Sequence, residues 1–230
     1  MPLTILVSIF FMGISIPAWA SDVENFLATE IEETQQESVE VQKDIQEGNI
    51  PEDEVEKNTA PKTFKQKTGP GIGTHIPHDL SSIDHEGREQ NIETLQGERG
   101  ITLMFVRSAD WCPFCQQQLL DANDYAAAFE EAGYPLVALS YDAVDILKNF
   151  HKKYDLSFTM ISDKSSDIIK AFGVLNEDQG SESSFYGIPH PGIFIIDSEK
   201  VVLGKFFMSD YTQRVSTQEV LKAVQDISDF

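Results

Sequence analysis

The chain of 230 residues holds two cysteines, Cys112 and Cys115, in the run Trp111-Cys112-Pro113-Phe114-Cys115. Two sulfurs at this spacing can exchange electrons as a dithiol–disulfide pair, hold a soft metal, or sit inertly. As a structural staple the pair is poor, because a bridge between residues three apart closes a very short loop and removes little unfolded-chain entropy. A zinc site needs four ligands, and the chain has no second cysteine pair while its five histidines are scattered. Redox exchange is the use that remains strongest.

Position along the chain explains how such a pair would react. The apolar run Ile101 to Val106 reads as a buried strand, and Cys115 to Ala132 carries Leu119, Leu120, Ala122, Tyr125, Ala126 and Phe129 at helical spacing. Cys112 therefore falls where a strand gives way to a helix. There it faces unpaired backbone N–H groups and the positive end of the helix dipole, which favour thiolate over thiol. Cys112 is the expected nucleophile, and Cys115, one turn on, attacks the resulting mixed disulfide. Pro113 suits the first turn, where its missing N–H costs nothing.

The elements that must position this site alternate. Strand patterns at Pro135 to Ser140, Phe158 to Ile161, Gly192 to Asp197 and Val201 to Phe207 interleave with helical patterns at Asp142 to Tyr154, Ser165 to Phe172 and Thr217 to Ile227. Strand–helix–strand units come first and a hairpin with a helix comes last, which predicts an α/β fold with a mixed sheet and helices on both faces.

Ahead of this domain, expected over residues 74–230, the composition changes. Met1 to Ala20 has no charged side chain, is apolar from Leu3 to Ile16 and ends in Ala18-Trp19-Ala20, as a signal peptide does. An uncleaved anchor is the competing reading; with cleavage, no membrane span is expected to remain. Residues 21–73 read as a solvated acidic extension and linker, with 13 acidic and two basic residues between Ser21 and Ala60. The whole chain has 38 acidic and 17 basic side chains, a balance that argues against binding nucleic-acid phosphates. Export implies a periplasmic or secreted location where a disulfide can persist.

Three segments together carry a resemblance: Phe105-Val106-Arg107-Ser108-Ala109-Asp110-Trp111-Cys112-Pro113-Phe114-Cys115, then Ala171-Phe172-Gly173-Val174, then Ile188-Pro189-His190-Pro191-Gly192-Ile193-Phe194-Ile195-Ile196-Asp197. From about Ile76 onward the chain resembles the redoxin branch of the thioredoxin superfamily, the alkyl hydroperoxide reductase/thiol-specific antioxidant group. The resemblance implies a thioredoxin-like fold, a cis bond before Pro191 with that proline facing the cysteines, and His190 beside the disulfide. It implies no cofactor beyond the redox-active disulfide. Typical peroxiredoxins also carry Thr or Ser three residues before the reactive cysteine and a later Arg; here position 109 is Ala, and no Arg lies between Arg107 and Arg214.

The other polar candidates are Arg107, a strand-end residue that could support the sulfurs electrostatically, and Asp110, which could relay a proton to Cys115. Trp111 is expected to pack over the disulfide and shape a substrate groove. His75, His78 and His85 are expected to be solvent-exposed, and no metal site is expected. Three functions follow: a thiol–disulfide oxidoreductase acting on protein or small-molecule thiols and disulfides with a reducing partner, a thiol-dependent peroxidase, or a holder of a soft metal such as Cu(I). N-terminal sequencing of protein from its native host is expected to begin at Ser21; a retained Met1 would refute the signal peptide.

Overall fold

The computed structural model describes residues 68–208, 210 and 212–228, all within the unit Lys62–Phe230. The expected signal peptide and nearly all of the expected acidic extension lie outside the described residues. Seven strands form one sheet: β1 (Ser82–Asp84), β2 (Glu89–Gln90), β3 (Gly100–Phe105), β4 (Leu136–Ser140), β5 (Thr159–Ser162), β6 (Gly192–Asp197) and β7 (Val202–Phe207). Six helices accompany them among the described residues: α1 (Ile92–Leu95), α2 (Pro113–Asn123), α3 (Ala126–Glu131), α4 (Val144–Tyr154), α5 (Asp167–Ala171) and α6 (Thr217–Ser228).

The spatial strand order is β2-β1-β5-β4-β3-β6-β7. Strands β3, β4 and β5 pair in parallel, whereas β6 runs antiparallel to both β3 and β7. Parallel strands buried on both faces should be apolar throughout, and every residue of β3 and β4 is buried. Successive side chains then alternate between two cores. Met104, Ala138, Met160, Ile193 and Ile195 pack with α2, α3, α4 and α6 on one face. Ile101, Leu103, Phe105, Val137, Leu139, Ile161 and Phe194 pack with α1 and α5 on the other. The mixed sheet with helices on both faces is as the patterns predict.

Three features depart from the sequence reading. The β1–β2 hairpin and α1 have no counterpart in it, because elements of two to four residues carry too short a pattern to read. The single helix expected over Cys115 to Ala132 is broken between Asn123 and Ala126, where Tyr125 N donates to Ala122 O in a tight turn and α3 restarts against the core through Ala126 and Phe129. The chain is also docked before Thr74. Thr68 is buried, Gly73 N donates to Val202 O, and Lys205 Nζ donates to the carbonyls of Gly69 and Pro70. Gly69, at φ +74°, passes so close to Phe194 that a Cβ there would lie 2.6 Å from the ring.

The β1–β2 edge hangs on one carboxylate. Burial by itself would raise the Asp84 pKa; donors from the backbone of Arg88, Gln90 Nε2, Arg88 Nε and the backbone of Glu86 outweigh that and hold it at about 2. A folded pKa below the unfolded 3.8 binds fewer protons in the native state, so this stabilisation is full above pH 4 and is lost as pH falls through 2. Urea unfolding should show roughly 2 kcal/mol lost across that window, about 1.4 kcal/mol per pKa unit. Asp84→Asn should flatten this slope; an unchanged slope would discard the assignment.

Candidate active site

The cysteines stand where the β3 exit meets α2. Cys112 is the N-cap, with extended backbone (φ −100°, ψ 98°) and no side-chain capping bond, and Pro113 opens the helix. The Cys112 carbonyl accepts from Cys115 N and Gln116 N, both at 3.0 Å, so the first turn is formed and its dipole points at the sulfur of Cys112. A disulfide joins Cys112 to Cys115 across a Cα separation of 5.3 Å. Exposure does not separate the two, at 2% and 0%; position does, because Cys112 caps the helix and Cys115 lies inside it.

The loop that delivers Cys112 is braced by a buried carboxylate that the sequence does not single out. Asp142, just beyond β4, accepts from Ser108 Oγ at 2.9 Å, the Ala109 amide at 2.7 Å and Ser140 Oγ at 2.7 Å. Ser108 Oγ in turn accepts from the amides of Asp110 and Trp111. Burial pushes the Asp142 pKa up, and these three donors pull against it without cancelling it. On the helix side, Gln116 Nε2 donates to the carbonyls of Ala109 and Asp110.

Arg214 is the second unforeseen residue. It comes from the segment between β7 and α6, and its Nη2 lies 3.3 Å from Cys115 Sγ and 4.0 Å from Cys112 Sγ. Burial, followed by the repulsion of Arg107, lowers its pKa to about 10, so it remains a cation at neutral pH. The Arg107 amide adds a donor to Cys115 Sγ at 3.4 Å. A guanidinium and a helix N-terminus thus converge on the sulfurs, and both favour ionised sulfur once the bridge opens.

The predicted residues divide as follows. Trp111 is half-buried, donates Nε1–H to Tyr141 Oη at 3.0 Å, and packs against Phe185 with ring centroids 4.8 Å apart. Arg107 sets its guanidinium 5.3 Å from the centre of the Trp111 ring. Pro113 is exposed on the first turn. Asp110 is exposed, and the buried acid that braces its loop is Asp142, beyond β4.

The cis bond expected before Pro191 is also corrected: no peptide bond among the described residues is cis. Trans is the lower-energy form, and the approach to β6 is already extended, with a bridge between Leu175 and Pro189 and His190 N donating to Val174 O at 2.7 Å. His190 is half-buried there. Pro191 nevertheless shares a crevice with Gln118, Met208, Val215 and Arg214, the residue whose guanidinium reaches the sulfurs.

The three histidines of the entry segment do not converge. His75 is exposed, while His78 Nδ1 accepts from Leu80 N. Contrary to expectation, His85 is buried at 6% exposure, because just after β1 its amide donates to Met160 O and its ring stacks on His151 with centroids 3.7 Å apart. No group of three or more His, Cys, Asp or Glu side chains gathers for a metal ion among the described residues.

With this geometry in place, comparison with known proteins decides the family. Residues 72–204 match the AhpC/TSA family, more than half of the chain. The chain belongs to that family. It is 31% identical over 141 residues to thiol-disulfide oxidoreductase ResA of Bacillus cereus, covering 61% of this chain and 72% of that one. It is 27% identical over 151 residues to chloroplastic peroxiredoxin Q of Sedum lineare, covering 66% and 76%. Among solved structures, peroxidoxin BcpB from Mycobacterium tuberculosis superposes with a TM-score of 0.60 at 20% identity, covering 70% of this chain and 98% of that one. Peroxiredoxin Q of Xanthomonas campestris gives 0.56 at 23%, covering 66% and 94%. These likenesses show the thioredoxin-like fold of the redoxins, and this AhpC/TSA member is an oxidoreductase with a disulfide-forming Cys-Pro-Phe-Cys pair.

Asp142→Ala would leave two donors in the loop, and Ser140 Oγ at the end of β4, without their acceptor. Urea unfolding should show a loss of about 1–3 kcal/mol, the cost of unsatisfied buried polar groups. A loss under about 0.5 kcal/mol, ordinary for a surface change, would remove Asp142 as the brace.

Proposed function

We propose that this oxidoreductase works as an exported thiol–disulfide exchange enzyme. The observation that carries the reading is the disulfide at the first turn of α2 with Arg214 against both sulfurs. The Cys112 thiolate attacks a sulfur of the substrate disulfide, forming a mixed disulfide and releasing one thiolate. The Cys115 thiolate then attacks Cys112 Sγ, closing the internal bridge and releasing the second thiolate. Two electrons pass from the dithiol to the substrate, and the protons of the two thiols end on the two released thiols. A reducing partner restores the pair by the reverse exchange. The similarity to thiol-disulfide oxidoreductase ResA supports this chemistry.

Export is supported by the uncharged, apolar Met1 to Ala20 ending in Ala18-Trp19-Ala20. A periplasmic or secreted location would keep the disulfide from being held permanently reduced.

One observation favours a second reading, peroxide reduction. A guanidinium within 4.0 Å of the Cys112 sulfur is placed to polarise a breaking O–O bond, and the chain is similar to peroxiredoxin Q. In that reaction Cys112 would become a sulfenic acid and Cys115 would displace its hydroxide as water. Against it, position 109 is Ala, so no hydroxyl side chain is available there.

Rapid mixing of the fully reduced protein separates the two. Oxidation by a disulfide should be fast, Cys115→Ser should accumulate the mixed disulfide at Cys112, and Cys112→Ser should abolish turnover. Oxidation by hydrogen peroxide should run within about tenfold of free cysteine at equal thiolate fraction, where nucleophilicity alone sets the rate. Peroxide oxidation thousands of times faster, with sluggish disulfide exchange, would transfer the assignment to a peroxidase.

A further inference from the structure

Three glutamines follow Cys115 in succession, and the fold puts them to different uses. Gln116, half-buried, donates Nε2–H to the carbonyls of Ala109 and Asp110, and Gln117, exposed, donates to Asp121 Oδ1 at 2.7 Å. Gln118 is turned inward. It is 5% exposed, and its Oε1 is shut off from solvent and accepts no hydrogen bond from the described residues. An amide oxygen buried without a donor is costly, so its place on the redox helix asks for a second state in which a donor arrives.

The position of Gln118 says which donor that is. It stands three residues beyond Cys115 on α2, and residues at that spacing lie on one face of a helix. A long side chain on a helix leans back over the preceding turn, which for Gln118 is the turn that carries Cys115. Cys115 is fully buried on that face, and Arg214, which shares a crevice with Gln118 and Pro191, sets its Nη2 3.3 Å from Cys115 Sγ. As half of the bridge, the sulfur of Cys115 has no proton to give. Reduction supplies one.

We propose that Gln118 Oε1 accepts the S–H of Cys115 once the bridge is reduced, holding Cys115 as a thiol while Cys112 is ionised and raising the reduction potential of the pair. The proposal rests on the thiol–disulfide reading above and adds a positioning residue to it. A hydrogen bond made to the neutral form of an acid favours that form, so the contact opposes the donors that Arg214 and the Arg107 amide present to the same sulfur. The helix N-terminus meanwhile acts on Cys112, and the two sulfurs take different protonation states. The unpartnered oxygen burdens the disulfide form alone, which tilts the equilibrium toward the dithiol. The exchange stays balanced. As Cys115 attacks Cys112 Sγ, the bond to the substrate sulfur breaks, two electrons pass to the substrate, and the proton held at Cys115 ends on the released thiol.

Gln118→Met keeps the length of the side chain and removes its amide. Equilibrated with a glutathione redox buffer, the full-length variant should favour the disulfide about tenfold more than the unmodified protein does, a shift of about 30 mV toward the reducing side. In a Cys112→Ser background, where Cys115 titrates alone, Gln118→Met should move the thiolate absorbance of Cys115 to lower pH. A merely structural role would weaken both redox forms alike and leave the potential in place. Should the variant not fold, the reduced unmodified protein gives an independent reading. At a pH where Cys112 is ionised, the Raman S–H band of Cys115 should lie at the low frequency of a thiol bonded to a carbonyl oxygen. A band at the frequency of an unbonded thiol, or an unchanged potential in the variant, overturns the proposal, while continued exchange with glutathione leaves the parent reading standing. Failure of the unmodified protein to exchange with glutathione disulfide overturns both.

Discussion

A single carboxylate buried where the central strands end governs the geometry of this molecule. Asp142, beyond β4, takes up donors from Ser108 and Ala109, beyond β3, and from Ser140 at the end of its own strand. Two parallel strands are thereby tied where both chains turn away from the sheet. The loop between β3 and α2 has no freedom to wander, and Cys112 arrives at the start of the helix with its sulfur facing the first turn. Burying a carboxylate is costly unless its oxygens are satisfied, and here both are. The cost is offset by placement of the reactive sulfur.

Around that junction the electrostatics run counter to the rest of the chain. The helix terminus and Arg214 supply positive character to the sulfurs, and Arg107 adds to it from the strand end. Two like charges held near each other and partly desolvated are unfavourable, which is visible in the lowered pKa of Arg214. The anion such a cluster serves, a thiolate, appears only when the bridge is open. The same arrangement serves disulfide exchange and, with a hydroxyl donor, would serve peroxide reduction; the two activities share one fold and one family, and differ in the groups that line the approach.

The cores do the remaining positioning. Each central strand sends alternate side chains to opposite faces, so one sheet anchors α2 and α6 on the redox side and α1 and α5 on the other. Phe194 joins Phe105, Phe172 and Phe207 in one aromatic cluster and also receives the Gly69 backbone. The segment ahead of Thr74 is therefore tied to the sheet whose opposite face supports the active helix.

Much of this was legible in the amino-acid order because it is local. Buried strands announce themselves by short apolar runs, helices by apolar residues three and four apart, and the Cys-Pro-Phe-Cys run by its place between the two. Those signals depend on neighbours close in the chain, and they sufficed for strands β3 to β7 and the order of elements around them; β1, β2 and α1, two to four residues each, are too short to carry such a pattern. What the tertiary structure alone decided is long-range and polar. Arg214 lies 99 residues from Cys115 and Asp142 lies 34 from Ser108, and no periodicity marks either. The burial of His85 against His151, the extended entry to Pro191 and the break at Tyr125 belong to the same class. A polar side chain in a sequence window carries no record of whether the fold will bring it to a sulfur or to water; only closure of the sheet and docking of the last loop determine that.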